Sequence, residues 1–288
     1  MREPIEPMAR PTLSYCAEQV RRYDRDRFLT ALFAPAAQRE DLFALYAFNL
    51  EIAKIRETVT EPMLGRIRLQ WWREAIAALE LGVVRQHGVV EPLADTVRRR
   101  ALPVAALLRL IDGRERDLEP DPPADLAALE DYAAQTAAGP AELALAVLDA
   151  GEPIALAAAR HVGIAHGLVG LLLAVPFRAS YGRVDLPQDL LDRAGLHASL
   201  VKEAKGDPRL VEIVGTIARR AAGHLAAARA QRRQIKRPAL PALLPGMIAG
   251  RALARLAAAG HDPFAVQLGR PDGSLSLRLT WAAWRGRF

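Results

Sequence analysis

Apolar side chains recur at three- and four-residue intervals along almost the entire chain, and no stretch alternates as a half-buried strand does. That single pattern predicts an all-helical fold. Ala and Leu dominate while β-branched residues are sparse, which agrees with it. Ser14 is placed to cap a helix running to about Phe33, with Pro35 breaking it. Leu42, Leu45, Tyr46, Asn49 and Ile52 mark a second helix from about Ala36 to Val59, with one polar member. Pro62 opens a third through Glu80, carrying Leu69, Trp72 and Ile76 on one face. Shorter helices are expected over 91–101, 103–112 and 124–138. Gly139-Pro140 and Gly151-Glu152-Pro153 punctuate the chain, and Asp121-Pro122-Pro123 reads as a loop.

The most apolar helix is expected from Pro153 to Val175. Gly163, Gly167 and Gly170 lie near one of its faces, so another helix could approach closely there. The uninterrupted apolar run, Val162 to Phe177 with His166 inside it, falls short of the roughly 20 residues needed to cross a bilayer. A buried core helix is the reading it supports. A long basic amphipathic helix is expected over 208–235, and another over 240–259 ending at Gly260. No repeat or long linker divides the 288 residues. We expect an N-terminal extension over 1–13, one helical domain over 14–270, and a basic aromatic C-terminal segment over 271–288.

Net charge is +6, which fits an anionic partner or simply a solvated arginine-rich surface. Cys16 is the sole cysteine, so no internal disulfide or multi-cysteine metal cluster can form within one chain. The start lacks the apolar core of a signal peptide. A cytoplasmic protein, soluble or peripheral at the inner face of the membrane, is expected. His161, His166, His224 and His261 show no metal-ligand spacing. Pro187 lies between Asp185 and Asp189, so these two do not form a regular helical ligand face.

Several segments, in order, resemble the phytoene/squalene synthase family of head-to-head prenyl transferases. They are Asp41 to Phe48, Arg68-Leu69-Gln70-Trp71-Trp72, Tyr132 to Gly139, and Gly182-Arg183-Val184-Asp185-Leu186-Pro187-Gln188-Asp189. The resemblance spans roughly residues 14–265. It implies an isoprenoid-synthase-like helical bundle around a central cavity. In active members two Asp-rich motifs hold Mg²⁺, which bridges the substrate diphosphate; such hard cations need oxygen ligands. Carried over position by position, the first motif falls on Ala53, Lys54 and Glu57, and the second on Ala174 and Arg178. One carboxylate remains, and two cations stand at former ligand positions.

Within that family, Phe48 to Ala53 and Arg66 to Trp72 resemble a diverged branch that includes the mitochondrial complex I assembly factor. This implies a degenerate, non-catalytic protein. Its expected partners are an isoprenoid diphosphate, a lipid or a respiratory-complex assembly partner, with a membrane surface as a further option. No cofactor is expected. Mg²⁺ belongs only to the alternative, an active prenyl transferase with relocated acids. Nucleic acid is not an expected partner, since the basic helix over 208–237 carries no recognised motif. Candidate cavity or anion-binding residues are Tyr46, Asn49, Lys54, Arg56, Glu57, Gln70, Arg178, Arg183 and Asp189, with Lys54 and Arg178 expected to point at the former metal site. The tail, Leu277 to Phe288, mixes Trp, Phe and Arg, and suits a membrane interface, a partner groove or a docked helix.

Overall fold

The computed structural model describes residues 13–265 and 273–288, and these contain helices and loops but no strand. The expected extension over 1–13 and the boundary at 270 therefore fall largely outside the described residues. Helix α1 (Tyr15–Tyr23) starts at Ser14, whose hydroxyl accepts from the Ala17 amide. It does not run on to Phe33 as expected. Asp24 leaves helical geometry at φ −140° and ψ 68°, and its carboxylate caps α2 (Arg25–Ala31) through the Arg27 amide. Capping chemistry inside a periodic stretch thus made two helices of one.

Next come α3 (Ala36–Thr58) and α4 (Pro62–Ala77), the latter opened by Pro62 and closing in a tighter turn rather than reaching Glu80 as α-helix. Leu42, Leu45, Tyr46, Asn49 and Ile52 are all buried, as the spacing demanded. Phe48 sits edge-on to Trp72 at 5.4 Å between ring centroids. Each fully buried side chain of this size contributes about 1.5–3 kcal/mol. Helices α5 (Val90–Arg100) and α6 (Val104–Glu115) flank this core. Asp41, only 1% exposed, accepts from both Arg99 and Arg100 and so pins α3 to α5.

Gly139-Pro140 is not a break. Helix α7 (Leu126–Ala133) passes through a wide turn at Ala134–Ala138 directly into α8 (Gly139–Val147). Pro140 lacks an amide hydrogen, and it follows directly on the wide turn, where the Gly139 amide bonds to the Ala134 carbonyl. The central helix α9 (Pro153–Ser180) continues beyond Val175, with Pro176 inside it. Packing on several sides outweighs one lost backbone bond.

At 28 residues and high mean hydropathy, α9 is long and apolar enough to cross a membrane, contrary to the shorter run counted from sequence. More than half of its most apolar stretch is buried in this fold, chiefly against α11, the turn before α8, α8 itself and α13. The remaining elements are α10 (Gln188–Ala194), α11 (Pro208–Ala230), α12 (Leu240–Leu243), α13 (Pro245–Ala258) and α14 (Leu275–Trp284). Helix α11 stops five residues before the expected end. The expected helix over 240–259 is divided at Leu244, because Pro245 cannot donate to the preceding turn.

Two apolar cores share α9. One lies around α3, α4, α5, α6 and α8; the other lies between the distal half of α9 and α10, α11 and α13. Gly163 and Gly167 do allow close approach. A Cβ on Gly163 would stand 2.3 Å from the Ala138 Cα, and one on Gly167 2.9 Å from the Ala137 Cβ. Gly170, grouped with them on sequence, meets nothing within 4 Å.

Candidate functional site

Where α3 ends and α9 ends, the bundle holds an open cavity of about 590 Å³. Helix α3 supplies Ala53, Arg56 and Glu57, which share one face through i, i+3 and i+4 spacing. Helix α9 supplies Ala174, Phe177 and Arg178 by the same rule, and Tyr181 follows one turn on. Val59, Arg114, Asp117 and Arg183 complete the wall. Arg183 returns to the site because Gly182 takes φ 73°, a left-handed turn that glycine adopts without strain. The Arg183 amide then donates to the Arg178 carbonyl at 3.0 Å.

The cations are held to different degrees. Arg178 donates to Asp185, and Arg183 donates to the other oxygen of the same carboxylate at 2.9 Å. Burial pushes the Asp185 carboxyl up, but the Arg178 and Arg183 charges outweigh it and hold it below the usual carboxylate range. Arg114 bonds to Asp117 at 3.3 Å and to the Tyr132 hydroxyl at 3.1 Å. Tyr132 in turn donates to Asp117 at 2.6 Å, and burial pushes its phenol up to about 12. Arg56 makes one long bond, to the Val59 carbonyl at 3.4 Å. Its remaining donors are the least engaged in the cavity.

Five expected members stand elsewhere. Lys54 is rotated off the Ala53–Arg56–Glu57 face, and its ammonium lies 3.2 Å from the centroid of the Tyr23 ring on α1. It does not project into the former metal site. Tyr46 is buried against Arg27, whose guanidinium lies over its ring. Asn49 is buried with its Oδ1 unpartnered, and Gln70 is exposed and bonded to Glu74 at 3.3 Å. Asp189 braces α10 by accepting from Arg193 at 2.8 Å. Its neighbour in sequence, Asp185, has the larger role in the site. Sequence reasoning missed Val59, Arg114, Asp117, Phe177 and Tyr181. The aromatic pair had a signal, since Phe177 closes the apolar run and Tyr181 follows it at i+4.

Mg²⁺ needs about six oxygens at near-octahedral geometry. Of the positions matching the family's metal ligands, only Glu57 carries one. Asp117, the other carboxylate in the wall, is committed to Arg114 and Tyr132. No group of three His, Cys, Asp or Glu side chains among the described residues is placed to hold a metal ion. These residues do not fit the family's metal cluster.

The model of squalene/phytoene synthases matches residues 20–285. The chain belongs to the squalene/phytoene synthase family. Within it, the chain is 32% identical over 274 residues to a bovine protein named NADH dehydrogenase (ubiquinone) complex I, assembly factor 6; the match covers 95% of this chain and 82% of that protein. It is 29% identical to a presqualene diphosphate synthase of Rhodopseudomonas palustris, over 86% of this chain and 89% of that protein. A crystal structure of a dehydrosqualene synthase in complex with ligand has the same fold, with a TM-score of 0.80, 17% identity and 94% of each chain covered. The all-helical isoprenoid-synthase fold expected from the motifs is therefore the fold of this member.

Proposed function

We propose that this member is an assembly-factor-like protein whose cavity binds an anionic isoprenoid or lipid through arginine, without metal and without turnover. One observation carries the reading. Ala53 and Ala174 stand where the family's carboxylates would, and Arg56, Arg114, Arg178 and Arg183 line the same space. A guanidinium presents a planar fork of donors that matches a phosphate directly. Phe177 and Tyr181 add an apolar rim that suits a hydrocarbon chain. The similarity to complex I assembly factor 6, over 95% of the chain, supports a respiratory-complex client.

The similarity to presqualene diphosphate synthase favours a second reading, prenyl transfer with acids supplied from elsewhere. One set of incubations separates the two. Farnesyl or geranylgeranyl diphosphate with Mg²⁺ should release no diphosphate above a heat-denatured control; release means an active transferase. In EDTA, farnesyl diphosphate should still bind, and the Arg56→Ala, Arg178→Ala double variant should bind about tenfold more weakly, as expected when charge-assisted bonds are lost. Unchanged affinity in that variant rejects the arginine grip. The client is tested by expressing the chain, targeted to mitochondria, in cells lacking assembly factor 6. Restored complex I on a native gel is the expected result.

A further inference from the structure

Helix α14 is docked by one side and bare on the other. Leu279 and Ala282 are buried against Leu244, with Leu29, Phe33, Met247 and Ile248 around them. The opposite side carries Leu277, Trp281 and Trp284 at i, i+4 and i+7, and these are 75%, 50% and 68% exposed. Such spacing makes one stripe along the helix. Large apolar side chains scattered singly need no explanation, but a stripe with two tryptophans on an otherwise docked helix does.

Arginine borders the stripe. The Arg285 guanidinium lies 4.9 Å from the Trp281 centroid and 5.9 Å from that of Trp284. Arg287 lies 5.6 Å from Trp281. Arg237 donates to the Trp284 carbonyl at 3.3 Å, so the preceding basic turn adjoins the same face. Residues 273–288 contain Arg278, Arg285 and Arg287 and no Asp or Glu.

We propose that α14 is a membrane-surface anchor that lies in the plane of an anionic phospholipid bilayer. The stripe would enter the boundary between headgroups and acyl chains, where indole rings are favoured, while the stacked guanidiniums sit level with lipid phosphates. Ten helical residues rise about 15 Å, too short to span the hydrocarbon, so the helix lies flat. The lack of Asp and Glu side chains in this segment selects anionic over neutral lipid, at about 1 kcal/mol per arginine near the surface, which is roughly five- to sixfold in partition for each.

The test is co-sedimentation of the full chain with vesicles of phosphatidylcholine alone and of phosphatidylcholine with phosphatidylglycerol. The chain should bind the anionic vesicles at least tenfold better, and added salt should weaken binding. Leu277→Ser, Trp281→Ser, Trp284→Ser should lower partition at least tenfold with an unchanged thermal melt. Arg285→Glu, Arg287→Glu keeps the stripe and should abolish the preference for anionic lipid; it carries the test if the triple variant melts early. Failure of the parent chain to bind anionic vesicles overturns the proposal. So does a well-folded stripe variant that binds like the parent, or a charge-reversed variant that keeps the anionic preference; either result would leave a protein groove as the occupant.

Discussion

The two halves of α9 make opposite use of small residues. In the proximal half, Gly163 and Gly167 let the wide turn at 134–138 come so close that a single added carbon would strike its backbone or side chains. In the distal half, Gly170 and Ala174 face space, and Ala174 forms part of the cavity wall. The proximal half holds the bundle together, while the distal half holds a volume open. The substitutions at the former ligand positions lie in the distal region and at the end of α3 that faces it. The fold could therefore persist while the lining changed, because packing and chemistry occupy different turns of one helix.

The largest effect should come from breaking the packed half. Gly163→Ala puts a Cβ 2.3 Å from the Ala138 Cα, an atom that cannot swing aside as a side chain can. Overpacking of this kind costs about 3 kcal/mol, or a melting temperature lower by on the order of 10 °C for a chain of this size. A circular-dichroism melt within a degree or two of the parent would show that the turn at 134–138 yields, and the contrast between the halves would weaken.

Next in size is Asp185→Asn, which acts on the open half in two directions. Losing a partly buried, charge-assisted partner of Arg178 and Arg183 should cost about 2 kcal/mol of stability. The same change releases Arg178 from its competitor, so inorganic diphosphate should bind several-fold more tightly, read by calorimetry in EDTA. Loss of stability without a gain in affinity would mean that Arg178 only braces the turn after α9.

Much of this architecture was legible in the residues. Periodicity placed α3, α4 and α9, because each buries a continuous stripe. Family motifs placed the cavity at the correct ends of α3 and α9. What stayed hidden depended on distance in the chain. Asp24 looked like one more polar residue in a periodic stretch, yet it ends one helix and caps the next. Lys54 and Arg56 are two residues apart, which separates them by about 200° around α3, and only the neighbouring Tyr23 decides which one leaves the cavity. Asp117 sits in a highly charged stretch that gives no hint of burial, yet it is 6% exposed between Arg114 and Tyr132.

Acid should separate the two halves in order. On the proximal half, the His161 Nδ1 meets the His224 Nδ1 at 2.8 Å, and His224 bonds through Nε2 to Glu130, which also holds Arg220. Burial, then the neighbouring His224 and Arg160, pushes His161 below its ordinary value of 6.5. Its folded state favours the neutral ring, so that stabilisation is complete above 6.5 and is lost as pH falls from there through the depressed value. Asp185 on the distal side loses its contribution in the same direction but at lower pH. Its contribution is present above 3.8 and is lost only as pH falls below that, through its lowered folded value. Melting curves from pH 7 to pH 3 should therefore show a first step that His161→Gln flattens and a later one that Asp185→Asn flattens. If His161→Gln leaves the first step intact, the histidine contact is not what loosens the proximal half.

The smallest effect is the most direct check on the contrast, because it has the opposite sign on the same helix. Gly170 is in the interior of α9, and a Cβ there meets no atom within 4 Å. Replacing it by Ala removes backbone freedom from the unfolded chain and adds no collision, so Gly170→Ala should stabilise by about 0.5–1 kcal/mol. Seven residues earlier, the same substitution should destabilise several-fold more strongly. A melting temperature that rises for Gly170→Ala and falls for Gly163→Ala would place the boundary between the packed and the open half within those two turns. A fall for both would mean that the space beside Gly170 closes in solution, and the packed part of α9 would then extend to the edge of the cavity wall at Ala174.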